Sequence, residues 1–477
     1  MRVIHLSVEC FPVAKVGGLA DVVGALPKYQ RKFGIDAAVV MPWYKKPFME
    51  EHEFELIFEG SFFQGSEKLG YSVFKEKNTV LEFPLYFIHI PGKLDREEVY
   101  GYPDEAEQWF AFQHAFLDWQ RQQEEEPLPD VVHCHDHHVG LIPFLLKEGD
   151  DFKKLADVKT VFTVHNGQYQ GWVNWNKAIL LPAFDTWRWG MLDWDGVINP
   201  LAAAIKATDC FTTVSEGYLQ ELYAEANGLQ DLFYQERAKG YGIVNGIDVA
   251  FWNPETDKHI PFSYNVKDVN EQKLRNKRTF CAQFGLPADR PLLSFIGRFA
   301  LEKGADFLAA TIESLLEQHS GGLTVFILGS GDTLIQSQLA ALAERYKGRI
   351  AVFFGYNEAL AHEVYAASDM LLMPSRVEPC GLNQLYAMKY GTIPIVRAVG
   401  GLKDTVMDVR NYGYGFLFEN LDVASITEAI ERAITYFKDR NDWQAIRRKA
   451  MALDYSWDKS AQKYLNLYNQ LLKSYDA

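Results

Sequence analysis

Two cations stand five residues apart in Arg298-Phe299-Ala300-Leu301-Glu302-Lys303-Gly304. A diphosphate suits such a pair, with the guanidinium binding as a planar fork and the ammonium as a point charge. Surface arginine and lysine are common, so taken alone the pair serves equally as a solvated charge cluster. A second stretch runs from Pro374 through Glu378, Pro379, Cys380, Gly381, Leu382 and Asn383 to Gly391. The apolar run Met370–Met373 reads as a buried strand that Pro374 and Ser375 end. A helix is expected from Leu382 to Gly391, a suitable residue just past a helix end. Its first N–H groups lack intrahelical partners and suit an anion. One short turn therefore offers a carboxylate and a phosphate-sized set of donors, or simply a polar entry to an amphipathic helix.

Three further loops carry chemistry-bearing residues. Lys15-Val16-Gly17-Gly18-Leu19-Ala20-Asp21 pairs a lysine with two glycines that let the backbone approach a ligand, ahead of a helix start that favours negative charge. It is not GxGxxG, so a nicotinamide fingerprint is unsupported, and an ordinary strand–helix turn also uses glycine. His133-Cys134-His135-Asp136-His137-His138 holds four histidines in six residues, and HxH on a strand puts two rings on one face. A metallo-hydrolase needs HxHxDH; Asp136 comes one residue early, which ranks metal below a hydrogen-bonding or core role. His165-Asn166-Gly167 ends another strand, where the imidazole either faces a substrate or caps a turn. Trp172, Trp175, Trp187, Trp189 and Trp194 follow, suited to a sugar path or to packing a lid.

These loops must be positioned by elements that alternate strand and helix. In the first half, strands are expected over Arg2–Glu9, Ala37–Pro42, Val131–Asp136, Val161–Asn166 and Phe211–Ser215. A helix is expected from Asp21, as capping residue, to Phe33, and another over 105–122. Residues 53–95 read as a β-rich insertion. The pattern restarts after Gly246-Ile247-Asp248, with 249–270 reading as an irregular linker. Strands then follow at Leu292–Arg298, Leu323–Gly331, Ile350–Gly355, Met370–Met373 and Thr392–Val396. Helices are expected from Asp306 to about His319 and over 332–346, 358–368, 425–438 and 457–474. Alternation of this kind indicates a doubly wound parallel sheet, and ligands sit beyond the carboxyl ends of its strands.

The chain has 477 residues, enough for two or three domains. Its 48 basic and 63 acidic residues leave a net charge of −15, which disfavours non-specific nucleic-acid binding. Five widely spaced cysteines without a CxxC pair argue against a disulfide framework or cysteine zinc site and fit a reducing cytoplasm. No signal-peptide layout and no membrane-spanning run is apparent. Aromatic residues reach 14 %, which suits stacking on sugars and large aromatic cores alike.

Taken together, the motifs closely resemble bacterial glycogen synthases and plant starch synthases, retaining glycosyltransferases of the GT-B type. The matching segments run nearly end to end: KVGGLADVVGALP at 15–27, DVVHCHDHH at 130–138, HNGQYQG at 165–171, TVSEGY at 213–218, VNGID at 244–248, GRFALEKG at 297–304, GSGD at 329–332, GY at 355–356, SRVEPCGLNQLYAMKYGT at 375–392 and GGLKDTV at 400–406. The resemblance implies two Rossmann-like domains, 1–248 on the acceptor side and 249–456 on the nucleotide-sugar side, facing each other across a deep cleft. A final helix in 457–477 would pack back on the first domain. It implies glucose transfer from a nucleotide sugar, usually ADP-glucose, to the non-reducing end of an α-1,4-glucan, with glycogen or a maltooligosaccharide as acceptor. No cofactor or metal, no nucleic acid and no membrane is expected, and an oligomer is left open.

The resemblance also assigns roles. Arg298 and Lys303 would bind the diphosphate, and Glu378 the glucose hydroxyls. The backbone from Cys380 through Gly381 and Leu382 to Asn383 would cap sugar and phosphate. Asp21 and His165 would contact the transferred glucose. Lys15 and the Gly17-Gly18 backbone would face diphosphate and acceptor, with Asp136 near the acceptor. Tyr356 would lie against the nucleobase, and Asn245 belongs with the substrate-binding residues.

Several positions depart from the family. Related transferases carry a second Glu where this chain has Tyr386, as glycogen synthases do. Asn383 replaces a common Thr and His137 a common Trp. Leu201-Ala202-Ala203-Ala204 lacks the Lys of a Leu-Lys-x-Gly motif, and 50–100 diverges. Alternatives are a relative using UDP-glucose or another sugar nucleotide, a sugar-nucleotide epimerase, and a silent glucan-binding protein. The intact Lys15, His165, Arg298, Lys303 and Glu378 count against the last.

Overall fold

The computed structural model describes residues 1–123, 127–318 and 322–473. The chain divides into two compact units, Met1–Gly246 with Trp457–Ala477, and Ile247–Ser456. The expected helix ends at His319 and at 474, and the tail beyond it, lie outside the described residues.

In the first unit, apolar runs form strands buried on both faces: β1 (Arg2–Leu6), β2 (Asp36–Pro42), β5 (Leu85–His89), β6 (Val131–His135), β7 (Lys159–Val164) and β10 (Cys210–Thr213). With β3 (Phe54–Gln64), β4 (Glu67–Glu76) and β11 (Gly240–Gly242) they make, among the described residues, a nine-stranded sheet in the order β11-β10-β7-β6-β1-β2-β5-β4-β3. Only β4 runs against the others, pairing antiparallel with β3 on one side and β5 on the other. The insertion expected over 53–95 is therefore narrower, because β5 pairs parallel with β2 and belongs to the main sheet. A small ribbon, β8 (Asp193–Trp194) and β9 (Val197–Ile198), stands apart.

The first helix spans Gly18–Lys32, with Gly17 as its cap residue. Asp21 lies inside the first turn rather than capping it. Its carboxylate still favours that positive helix end, and it pairs with Lys15. Helix Trp457–Lys473 packs on this element, burying Trp457, Tyr464, Leu467 and Tyr468 with Val22, Leu26 and Tyr29.

The second unit is a six-stranded parallel sheet in the order β14-β13-β12-β15-β16-β17. Its strands are β12 (Leu292–Phe299), β13 (Thr324–Gly331), β14 (Ile350–Phe354), β15 (Met370–Met373), β16 (Ile393–Arg397) and β17 (Phe416–Phe418). The linker reading of 249–270 does not hold. Ile260 and Tyr264 are core residues, the Tyr264 hydroxyl donates to the Tyr390 carbonyl at 2.8 Å, and Asp257 accepts from His362. Single buried residues between prolines leave no periodic pattern to read. Helix Leu308–Gln318 begins two residues later than expected, after 3-10 turns at Leu301–Lys303 and Ala305–Phe307. Helices Val269–Gln283 and Arg440–Met451 complete the layers.

A buried charge cluster ties those two helices to β15. Asp369, just before the strand, accepts from Lys277 Nζ at 2.6 Å and lies 3.3 Å from Arg447. Burial pushes its carboxyl up, but Lys277 and Arg447 hold it below the ordinary carboxylate range. Its contribution to stability is thus complete above that range and is lost as pH falls through the depressed value. Asp369→Ala strands two buried cations and is expected to cost about 3–5 kcal/mol, read by urea denaturation of the intact chain.

Candidate active site

Strand order locates one ligand position in each unit. From β1 the chain winds outward through β2 and β5, then returns to β6 and winds the other way through β7 and β10. The reversal falls between β1 and β6. In the second unit it falls between β12 and β15. Loops leaving the carboxyl ends of two such strands diverge and open a crevice. Most of the predicted residues follow strands at these two points; His165 follows the neighbouring β7, and Asn245 and Tyr356 follow the edge strands β11 and β14.

After β1, buried Glu9 organises the glycine loop. Its Oε2 accepts from the N–H groups of Val16 at 2.6 Å and Gly17 at 3.0 Å, and its Oε1 from the Tyr100 hydroxyl at 2.6 Å. The Gly17 N–H, expected to face a diphosphate, is instead taken up by Glu9. A Cβ on Gly17 or Gly18 would meet no protein atom within 4 Å, and neither has a positive φ, so the fold itself does not demand glycine there. Lys15 Nζ lies 2.7 Å from Asp21. Sequence reasoning missed Glu9; its signal is a lone acid at the end of an apolar strand.

After β6, Asp136 adopts φ 61° and accepts from the His165 backbone N–H at 2.7 Å. This bond joins the loops after β6 and β7. Burial pushes the Asp136 carboxyl up to about 7; the N–H groups of His165 and Asn166 oppose this, and Glu9 adds to it. His5, His133 and His135 bring ring nitrogens within 4.8 Å of one another. Each ring nitrogen already has a partner: Gln30 and His135 for His5, Tyr468 and Thr163 for His133, His5 and His165 for His135. These residues therefore do not fit a metal ion.

His137, in place of Trp, lies against Gly171, and His138 stacks on Tyr100 at 5.1 Å. Asn245 is buried, and its Oδ1 has no hydrogen-bond partner among the described residues. The tryptophans split: Trp175 and Trp194 donate to Asp193 and Gly228, while Trp172, Trp187 and Trp189 are exposed. Ala202, Ala203 and Ala204 are fully buried in helix Pro200–Ala207, and Lys206 there donates to the carbonyls of Gly190 and Asp193.

In the second unit, Lys303 Nζ donates to both Glu378 oxygens, at 2.8 and 2.9 Å. Ser375 Oγ donates to the same carboxylate at 2.9 Å. Burial depresses the Lys303 ammonium, but Glu378 and Glu302 outweigh it and raise its pKa. Gly304 makes this pairing geometrically feasible. It has φ +65°, and a Cβ there would sit 1.9 Å from the Pro374 carbonyl oxygen. Arg376 clamps the loop through a fork to Asp306, both contacts 2.7 Å. Gly401 lies against the Cys380 backbone, where a Cβ would be 2.2 Å from the carbonyl oxygen, and its N–H donates to the Glu378 carbonyl at 3.1 Å.

Arg298 is exposed and pairs with Glu302 at 3.1 Å. With Leu301, Ser330, Gly331 and Asp332 it lines a pocket of about 540 Å³. The helix after Glu378 is shorter than expected, Asn383–Lys389, with Leu382 as cap residue and Gly391 at φ +70° beyond it. Asn383 Nδ2 donates to the Ile296 carbonyl at 2.8 Å, tying that helix start to β12. Gln384 does the same for Cys380 and Gly381, donating to their carbonyls at 3.0 and 2.8 Å. Tyr386 stacks on Trp252 at 3.9 Å, so an aromatic core contact occupies the position of the second Glu. Tyr356 is exposed, its hydroxyl donating to Glu358 at 2.8 Å.

Two doubly wound units, each with polar residues at its switch point and a lysine–carboxylate pair in the second, define a glycosyltransferase of the GT-B fold. Residues 2–235 match the starch synthase catalytic domain and 276–450 the glycosyl transferases group 1. A glycogen synthase of Flavobacterium johnsoniae is 47 % identical over 99 % of this chain and 100 % of its own. One of Geobacillus thermodenitrificans is 36 % identical over 99 % and 98 %. The catalytic domain of starch synthase IV from Arabidopsis thaliana, solved with ADP and acarbose, is 31 % identical with a TM-score of 0.89 over 99 % of each chain. A sucrose-phosphate synthase from Thermosynechococcus elongatus, 19 % identical with a TM-score of 0.64 over 99 % of each chain, shares the fold. The chain belongs to the glycogen and starch synthase family.

Two consequences are measurable. Glu9→Ala leaves the Val16 and Gly17 N–H groups without their acceptor; amide exchange at both is expected to accelerate, with a stability loss of about 1–3 kcal/mol by thermal denaturation. Asp136 has a raised folded pKa, so its stabilising effect is full below the ordinary carboxylate range and is lost as pH rises through about 7. Asp136→Asn is expected to flatten that decline in a series of denaturation midpoints from pH 4 to 8.

Proposed function

We propose that the protein elongates an α-1,4-glucan, moving glucose from ADP-glucose to a non-reducing end with retention of configuration. One observation on this chain carries the reading: Lys303 is held by Glu378 on one side, with Arg298 exposed at the end of β12 just before its loop, at the switch point of the second unit. The reported likeness to glycogen synthases over the whole chain, and to a starch synthase solved with ADP and acarbose, supports it.

Cleaving a sugar–phosphate bond develops positive charge at the anomeric carbon and negative charge on the departing diphosphate. Arg298 and Lys303 stabilise the latter; losing one pre-placed donor of this kind costs on the order of 3 kcal/mol. In this reading no metal is required. Glu378 accepts hydrogen bonds from glucose hydroxyls, with the backbone of Cys380 to Asn383 beside it. Asp21 and His165 contact the transferred glucose, and Lys15 the diphosphate. Gly17 and Gly18 offer close approach through their missing side chains. Asp136 serves the acceptor side, Asn245 contributes to substrate binding, and the Tyr356 ring lies against the base. No side chain is an obvious nucleophile, so the acceptor hydroxyl attacks from the face that the diphosphate leaves.

We place this activity in the cytoplasm. All five cysteines are free and buried, which suits a reducing compartment. Among the described residues no helix is long and apolar enough to cross a membrane.

Purified protein with glycogen and ADP-glucose is expected to release ADP and lengthen chains in the presence of a chelator. Turnover with UDP-glucose alone would reassign the donor, and turnover with neither would overturn the synthase reading. Lys303→Ala and Glu378→Ala are each expected to lower kcat by about a hundredfold with glycogen affinity little changed. Wild-type rates in both would displace them from the site.

A further inference from the structure

The first unit buries a polar chain that the proposed chemistry does not use directly. Gln30, on helix Gly18–Lys32, is fully buried, as are His5 on β1 and His133 and His135 on β6. Gln30 Nε2 donates to the Tyr468 hydroxyl at 3.0 Å, and its Oε1 lies 2.7 Å from His5 Nε2. His5 Nδ1 lies 3.0 Å from His135 Nε2, and His135 Nδ1 lies 3.0 Å from His165 Nε2. We infer that Gln30 is a positioning residue for His165: it fixes one proton arrangement along His5, His135 and His165, leaving His165 with its proton on Nε2 and its lone pair on Nδ1.

The direction follows from bonding rules. An amide oxygen only accepts, so His5 Nε2 must carry the hydrogen. A neutral imidazole has one N–H, which leaves His5 Nδ1 as acceptor and makes His135 Nε2 the donor. The same step makes His135 Nδ1 an acceptor and His165 Nε2 a donor. Burial keeps the rings neutral, holding His5 to about 4 and His165 to about 3, with His135 well below the ordinary value. A second branch starts from the same amide. The Tyr468 hydroxyl accepts from Gln30 and donates to His133 Nδ1 at 2.7 Å, so His133 Nε2–H donates to Thr163 Oγ1 at 2.6 Å. Thr163 in turn has Thr212 Oγ1 at 2.6 Å. Reversing the branch through His5, His135 and His165 requires the amide to turn over and every proton along it to move. One amide therefore selects between two self-consistent patterns. The selected one lets His165 Nδ1 accept a hydrogen bond from a hydroxyl, which the other tautomer cannot do.

The effect on turnover rests on the reading of His165 as a contact to the transferred sugar; the proton arrangement does not. Long-range proton–nitrogen correlation spectra of the full chain, labelled with 15N-histidine and assigned by single substitutions, separate the two tautomers. In the wild-type protein His5, His133, His135 and His165 are all expected as Nε2–H. His165 found as Nδ1–H, or as a mixture, overturns the proposal. Gln30→Glu, recorded at a pH high enough to ionise it, gives a side chain that only accepts. It is expected to leave His5, His135 and His165 unchanged, but Tyr468 must now donate to residue 30, so His133 switches to Nδ1–H. A loosened core would not produce that selective switch, and an unswitched His133 counts against the proposal. Gln30→Leu is expected to mix the His165 tautomers and lower kcat about tenfold with the KM for glycogen unchanged, whereas Gln30→Glu stays within about threefold of wild type. A wild-type protein with the expected spectra but no turnover of either nucleotide sugar would overturn the functional reading and leave the proton arrangement standing.

Discussion

A carboxylate buried as deeply as Glu378 has to be paired, and much of the second unit follows from that requirement. Lys303 and Ser375 supply the partners. For Lys303 to arrive, the loop after β12 must press against the end of β15, and it does so through a glycine where no side chain fits. The Arg376–Asp306 fork and the Gly401 contact to Cys380 hold the two sides of the same turn. The exposed Arg298 then stands beside a charge pair whose position is set by packing rather than by solvent.

The first unit solves a related problem with different partners. Among the described residues, buried Glu9 has no cation among its hydrogen-bond partners; two backbone N–H groups and a phenol satisfy it. This shapes the glycine loop from behind and takes up the Gly17 N–H, while Lys15 pairs with Asp21. Asp136 performs a comparable service for His165 through a backbone bond, so the ends of β6 and β7 are joined before any ligand is considered.

What was legible in the sequence was local. Apolar runs bounded by Gly and Pro marked most strands correctly, because a buried parallel strand needs little else. The loops with Lys303, Glu378 and His165 stood out for the same reason: polar residues at strand ends. Partnership across the sheet was not legible. Nothing in the order of residues brings Tyr100 to Glu9 or Gln30 to Tyr468, since these contacts depend on how distant segments pack. The segment 249–270 was misread because burial there falls on isolated residues such as Tyr264, which leave no period. Asp21 was misplaced because a good capping residue was available, while the helix began earlier at a glycine.

The first unit is closed by residues at the far end of the chain. The segment that enters the second unit at Ile247 leaves it at Ser456, and these two residues form a bridge. Only then does helix Trp457–Lys473 return to cover Val22, Leu26 and Tyr29 and to place Tyr468 beside Gln30 and His133. On a ribosome, the N-terminal sheet emerges with that apolar face uncovered, and it stays so throughout synthesis of the entire second unit. The half of the protein made first is therefore the half completed last, and its exposure to chaperones is set by the time taken to translate the other.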